Sequence, residues 1–297
     1  MQAHNFGLLS FCEGRVIPWR VILLAGVGAL TFVCGCADWE KPEPAWNHTS
    51  LESALKSGET GGRLKLAGAG FTEFPAELRK LSDMTWLTLR RNKIATLPPY
   101  IGEFSKLEWL DLGETELAAV PVELCGLDGL RMLYLNYNKL SEIPAEIGGL
   151  SELTYLNLDG NQLQAVPAEL GNLSNLKWLR LNGNKLASVP GELGKLAELQ
   201  RLYLRSNGLT NLPLELADLG NLTDLDLSRN RLTKIPFDMS KLQNLRRLDL
   251  SHNQLTELPS NIGDLKELQS LWLIRNRITQ EEKDRLKSAL PRCYIVF

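Results

Sequence analysis

Histidine is nearly missing from this chain of 297 residues: only His4, His48 and His252 occur. Two of them fall outside the region whose pattern specifies a fold, so His-dependent catalysis has little to work with. Cysteine is equally sparse. Three of the five, Cys12, Cys34 and Cys36, lie in the first 36 residues, and Cys125 and Cys293 complete neither a metal cluster nor a disulfide framework. No charge excess exists either, because 33 basic residues oppose 35 acidic ones and leave a net charge of -2, which argues against nucleic acid as a partner. Also lacking are a Gly-rich phosphate loop, a nucleophile elbow, a His-Glu zinc helix and a second domain to carry one. The expectation is a protein that is no enzyme and holds no cofactor and no metal.

What is present begins with an address. Residues 21–34 read VILLAGVGALTFVC, preceded by Arg15 and Arg20 and followed by Asp38 and Glu40. This is the layout of a secretory signal, and the run falls short of the roughly 20 apolar residues that a spanning helix needs. The segment Val33-Cys34-Gly35-Cys36 resembles a bacterial lipobox, in which a Cys is lipidated and becomes the mature N-terminus; the resemblance implies that role for Cys36. A plain signal peptide or an uncleaved anchor is the other reading. After it, ADWEKPEPAWNHTS is rich in Pro and charge and lacks apolar periodicity, so residues 37–49 read as a tether. Ser50 and the spacing of Leu51, Ala54 and Leu55 predict a short capping helix within 50–60.

One period governs the remainder. Pro recurs at 75, 98, 121, 144, 167, 190, 213, 236 and 259, always 23 residues apart, and an L-x-L pair recurs ten times from Leu64/Leu66 to Leu271/Leu273. Asn follows at the same period as Asn92, Asn138, Asn161, Asn184, Asn207, Asn230, Asn253 and Asn276, replaced by Ala69 and Thr115 in two units. Alternation of Leu with polar residues predicts one short strand per unit, with Leu inward. Identical stacked units then make a parallel sheet. Each Asn amide can satisfy buried backbone groups in the turn, where an unpaired group costs about 1–3 kcal/mol. Leu97, Val120 and Ile143 before Pro, with Ile101, Leu124 and Ile147 after it, close the core from the convex side.

The unit L-x-x-L-x-L-x-x-N-x-L-x-x-L-P-x-x-I-x-x-L resembles the 23-residue class of leucine-rich repeats of bacterial and plant intracellular type. The resemblance covers residues 64–297 and implies an α/β repeat solenoid: a horseshoe with a parallel β-sheet on the concave face and short helices or turns on the convex face. Repeats are assigned to 61–278. Beyond them Glu282 stands where Pro is due, and Thr279 with Glu282 is a capping-box signature for a closing helix to about Ala289, followed by a strand, within 279–297. Cys293 and Cys125 read as packing residues.

Since the Leu, Asn and Pro columns serve the fold, function is expected of the outward strand positions. There Trp86, Trp109, Tyr134, Tyr155, Trp178 and Tyr203 are expected to form a nearly continuous exposed aromatic surface, extended by Tyr137 and bordered by Arg180. The bland alternative is that these rings merely pack on one another across strands. The later half instead intermixes Arg180, Arg201, Arg205, Arg229, Arg247 and Arg275 with Asp224, Asp226 and Asp249, which reads as a mutually neutralising lattice rather than a calcium site. Acids two residues after Pro, such as Glu146 and Glu169, suit exposed N–H groups at the start of a convex helix. The sequence thus points to a lipid-anchored envelope protein binding a protein or peptide ligand on its concave face; a glycan receptor and a structural spacer are the alternatives. Its oligomeric state is not legible.

Overall fold

The computed structural model describes residues 45–297, and the signal segment with Cys36 and most of the tether lie outside them. Residues 46–297 form one compact unit. Its first helix, α1 (Leu51–Ser57), starts where the Ser50 hydroxyl accepts the Ser53 N–H at 3.1 Å and stops at Gly58 in the left-handed conformation. Eleven strands follow in one parallel sheet whose order is the order of the chain. They are β1 (Gly61–Lys65), β2 (Asp83–Thr88), β3 (Trp109–Asp111), β4 (Met132–Tyr134), β5 (Tyr155–Asn157), β6 (Trp178–Arg180), β7 (Arg201–Tyr203), β8 (Asp224–Asp226), β9 (Arg247–Asp249), β10 (Ser270–Trp272) and β11 (Tyr294–Val296). From β2 to β10 equivalent residues of successive repeats pair directly, as Trp109 does with Met132 and Met132 with Tyr155. Each outward column therefore runs straight across the sheet.

The convex side consists of single 3₁₀ turns after the prolines, such as Val122–Gly126 after Pro121. Pro suits that place, because its fixed φ leads into the turn and its missing N–H is not needed there. Between sheet and turns lies one continuous core, in which the L-x-L leucines, the residues before Pro and Ile101, Leu124 and Ile147 are all buried. No repeat could bury its own leucines alone, so stacking is what stabilises each unit. Close stacking leaves Gly171 no room for a side chain: a Cβ there would meet the Glu192 carbonyl oxygen at 2.2 Å. Cys125, in the same column, is buried, and burial pushes its thiol up to about 11. Cys293 is half-buried and raised likewise to about 11. Both thiols therefore stay protonated near neutrality.

The Asn column joins neighbouring repeats. Asn184 Nδ2 donates to the carbonyl of Leu181 in its own turn and to that of Leu158 in the preceding repeat, both at 3.0 Å, while its Oδ1 accepts the Leu163 N–H at 3.1 Å. Asn92, Asn138, Asn161, Asn207, Asn230, Asn253 and Asn276 repeat this arrangement. Thr115 does not leave its rung empty, as a simple interruption would. Its hydroxyl donates to the Leu112 carbonyl at 2.8 Å and its N–H reaches Asn138 Oδ1 at 3.1 Å, but the reach to the preceding repeat is lost.

At the far end α2 (Gln280–Ala289) is capped by Thr279, whose hydroxyl accepts the Glu282 N–H. The reciprocal half of a capping box is absent. The Glu282 carboxylate turns to the last repeat, where it accepts the Leu258 N–H at 2.9 Å and two bonds from Arg285. β11 then adds to β10 and ends the array. Among the described residues no helix is long and apolar enough to cross a membrane.

Candidate functional site

Straight register places the outward aromatics in ring contact. Trp86 stacks on Trp109 at 5.4 Å between centroids, Trp109 meets Tyr134 at 5.5 Å, Tyr134 meets Tyr155 at 4.7 Å and Tyr155 meets Trp178 at 5.8 Å. Where β4 carries Met132 in the first column, Tyr134 of the second column makes the connection instead. Five outward rings therefore act as one surface, with Tyr203 joined to them through Arg180, but not as the open surface that the sequence leads one to expect. Tyr155 is only 5% exposed, and Trp86, Trp109, Tyr134, Trp178 and Tyr203 are half-buried, because each ring covers its neighbour. Burial pushes the Tyr155 phenol up to about 12 and raises Tyr134 further and Tyr203 less. None of these phenols ionises near neutrality, so the row presents ring edges and neutral hydroxyls.

Cations border the row. Arg201 lies over the Trp178 ring at 4.0 Å, and Arg180 over Tyr203 at 5.2 Å while its guanidinium pairs with Asp159 at 2.6 Å. Tyr137 stands apart from the ring contacts. It occupies a left-handed turn position at φ 56°, is 56% exposed, and lays its ring against Gly160, where a Cβ would come within 2.4 Å of it. It is thus the reachable aromatic beside a row of mutually covered ones.

Trp46 belongs to this site and is not apparent in the sequence, where it reads as the end of a polar tether. The backbone of Asn47 and His48 hydrogen-bonds along β1, with both N–H groups donating to the Arg63 carbonyl and the Lys65 N–H donating to the His48 carbonyl. Asn47 Oδ1 accepts the Arg63 N–H at 2.8 Å. This pairing covers the sheet edge, which otherwise exposes unpaired backbone groups, and delivers Trp46 onto the row, 6.3 Å from Trp86 and 5.6 Å from Trp109. The only signal was an indole within an otherwise polar stretch.

In the charged half the expected lattice of opposite charges forms around Asp224 but does not extend as direct ion pairs to Asp226 and Asp249. Arg201 and Arg247 both pair with Asp224. Asp226 and Asp249 instead turn their Oδ1 atoms to the N–H groups of Ser228 and Ser251, each at 2.9 Å. Burial raises the Asp226 carboxyl, its bonds to Ser228 notwithstanding. Asp224 is thus engaged by arginine and one oxygen of each of Asp226 and Asp249 by backbone, and no group of three or more metal-ligating side chains occurs among the described residues.

The architecture can now be compared with known proteins. Residues 121–223 and 190–288 match the family described as leucine-rich repeat region, and residues 82–140 match leucine rich repeat. No curated protein gave a significant match. Among solved structures the chain is similar to a leucine-rich repeat protein of Leptospira interrogans, with 35% identity over 79% of this chain and 72% of that one and a TM-score of 0.53. It is also similar to the ectodomain of the Arabidopsis thaliana receptor kinase GASSHO1/SCHENGEN3 in complex with Casparian strip integrity factor 2. That match has 34% identity and a TM-score of 0.68, over 77% of this chain but only 29% of the receptor chain. An internalin of Listeria monocytogenes shares the fold at 20% identity and a TM-score of 0.57, over 83% and 84% of the two chains. With period, register, Asn ladder and these matches in agreement, the chain belongs to the leucine-rich repeat family.

Proposed function

We propose that this protein is a non-enzymatic binding scaffold that captures a protein or peptide on its concave face, along the row from Trp86 to Tyr203. The observation that carries this reading is the row itself: successive repeats devote their outward positions to aromatic rings, although the Leu, Asn and Pro columns already set strand, turn and register. Aromatic side chains give large contact area at small entropic cost, and their mutual contacts hold them ready for a partner. Plant neighbours support the class, since one was solved as a peptide hormone receptor with its peptide. The test is cross-linking capture from solubilised envelope with wild-type protein and with Trp109→Ser/Trp178→Ser. Specific capture by wild type that is lost in the variant, with far-UV circular dichroism unchanged, supports the proposal. Retention on purified peptidoglycan or polysaccharide instead would give the face to a glycan, and capture unchanged in the variant would remove the row from the site.

We propose further that Cys36 is lipidated and that the array is displayed from the cell envelope. This rests on the sequence around Val33–Cys36. In a bacterial host the wild type is expected to be processed and to partition into detergent, while Cys36→Ala stays unprocessed or is released. A variant that migrates and partitions like wild type overturns the lipid anchor.

A further inference from the structure

We propose that Arg205, Arg229 and Arg275, at the C-terminal ends of β7, β8 and β10, form a subsite for acidic side chains of a protein ligand. The argument begins with a contrast between equivalent turns. In the turns after β2 and β3 the cations are neutralised within the molecule: Arg90 and Arg91 both pair with Glu114, the latter at 3.1 Å. Lys139, in the turn after β4, pairs with Glu116 at 2.8 Å. On the strands Arg180, Arg201 and Arg247 have Asp159 or Asp224.

Arg205, Arg229 and Arg275 form no ion pair among the described residues, although Arg205 is near enough to Asp226 to pull its carboxyl down against the burial that raises it. The acids that could have served, Asp226 and Asp249, sit on the strands and direct Oδ1 at Ser228 and Ser251. Arg229, His252 and Arg275 occupy one turn position in three successive repeats, all at φ 56–59°. Arg91 has Glu114 as its neighbour in that column, whereas Arg229 and Arg275 have only His252 between them. Burial and the positive field of Arg229, Arg275 and Arg205 lower the His252 pKa against the opposing pull of Asp249. The rim is therefore net cationic at a place where the whole chain, at net charge -2, is not.

The backbone that carries Arg229 and His252 is also held in position. The Arg229 N–H donates to the Ser251 carbonyl at 2.8 Å and the His252 N–H to the Ile274 carbonyl, so the turns are locked repeat to repeat. With strands about 4.8 Å apart, Arg229 and Arg275 start about 10 Å from each other, which matches carboxylates three residues apart on a polyproline-II segment, where every third side chain returns to the same face at about 3.1 Å per residue. Guanidinium forks on fixed points are suited to bidentate carboxylate recognition. An acidic segment that meets the aromatic row would thus be read by charge at the other half of the same sheet. This subsite extends the peptide-binding reading but is tested separately from it.

The test uses the whole chain and a fluorescein-labelled, C-terminally amidated oligo-glutamate peptide, followed by fluorescence anisotropy at low ionic strength. Saturable binding is expected, weakening as salt rises through physiological strength. Arg229→Ser/Arg275→Ser should bind at least about tenfold more weakly. Arg79→Ser, whose guanidinium pairs with Glu103 on the convex side, should bind as wild type does. Trp109→Ser should leave oligo-glutamate binding unchanged, which separates failure of this subsite from failure of the aromatic face. No saturable binding, equal affinity in the arginine variant, equal affinity for an oligo-glutamine peptide, or an equal loss in Trp109→Ser overturns the proposal.

Discussion

The two halves of the concave sheet have the same backbone, the same buried leucines and the same Asn rungs, yet their outward residues behave in opposite ways. From β2 to β6 the outward rings pack on one another until Tyr155 is 5% exposed, so the surface has become an outer core layer. From β7 to β10 most outward residues are charged, Tyr203, Ser270 and Trp272 apart, and only some of the charges are matched: Asp224 serves both Arg201 and Arg247, while Arg205, Arg229 and Arg275 form no ion pair among the described residues. A solenoid of identical units thus separates what stabilises from what is displayed, and it does so unequally along its length. In the aromatic half the displayed residues also stabilise. In the charged half they contribute less to the fold and leave more chemistry open to a partner.

The largest effect that would test this difference is in the aromatic half. Tyr155→Ala removes a buried ring that touches both Tyr134 and Trp178, and its hydroxyl accepts a hydrogen bond from Asn157 at 3.3 Å. A loss of about 3 kcal/mol is expected from urea midpoints, together with a collapse of the near-ultraviolet circular dichroism of the coupled rings. If Tyr155→Ala is as stable as wild type, the rings are decoration and the contrast between the halves disappears.

Next in size is the ladder, which both halves share. Asn184→Ala should cost about 2 kcal/mol, because three buried backbone groups lose a partner at once. Asn253→Ala, in the charged half, should cost the same, since its bonds to Leu227, Leu250 and Leu232 repeat the pattern. Thr115→Ala should cost only about 1 kcal/mol, as its hydroxyl serves its own turn but not the preceding repeat. Asn substitutions that differed strongly between the halves would show that the scaffold is not uniform.

Much of this was legible in sequence because it is periodic. A 23-residue spacing of Pro, Leu and Asn fixes strand, turn and register together, and Thr279 with Glu282 marks the end. What was not legible is pairwise. Whether Tyr155 is exposed depends on rings one repeat away on either side, and whether Arg229 is neutralised depends on which atom Asp226 chooses. Composition counts three Asp against the arginines and suggests balance, but Asp226 and Asp249, whose Oδ1 atoms accept backbone N–H bonds in their own turns, form no ion pair with an arginine among the described residues. Trp46 was hidden for a related reason: its place comes from backbone pairing of Asn47 and His48 with β1, for which a three-residue stretch gives no period.

In the charged half the test is Asp224→Asn. It removes the one carboxylate shared by Arg201 and Arg247, and leaves two cations near each other with an amide between them. A loss of about 1.5 kcal/mol is expected, smaller than that of Tyr155→Ala because both arginines keep partial access to water. Measured in raised salt, the loss should shrink, whereas that of Tyr155→Ala should not. Equal salt dependence of the two would mean that charge is not what distinguishes this half.

The smallest effect concerns the closing end, where the charged half meets α2. Glu282 is buried, which by itself would raise its carboxyl, but bonds from Arg285 and the Leu258 N–H outweigh that and lower it below its ordinary 4.5. A folded-state value below the unfolded one means that Glu282 contributes stability fully above about pH 4.5, and that this contribution is lost as pH falls through the lower folded value. The loss should be local, because this carboxylate ties the terminal helix to the last repeat at Leu258, at the end of the array and beside the buried Leu286. The hydrogen-exchange protection factors of the α2 amides, corrected for the fall of intrinsic exchange with pH, should therefore drop on acidification ahead of those of β5 and β6. In Glu282→Gln the same amides should be less protected at neutral pH, and their protection factors should change little further on going to pH 4. An acid response of α2 identical in wild type and Glu282→Gln would show that some other group closes this end of the solenoid.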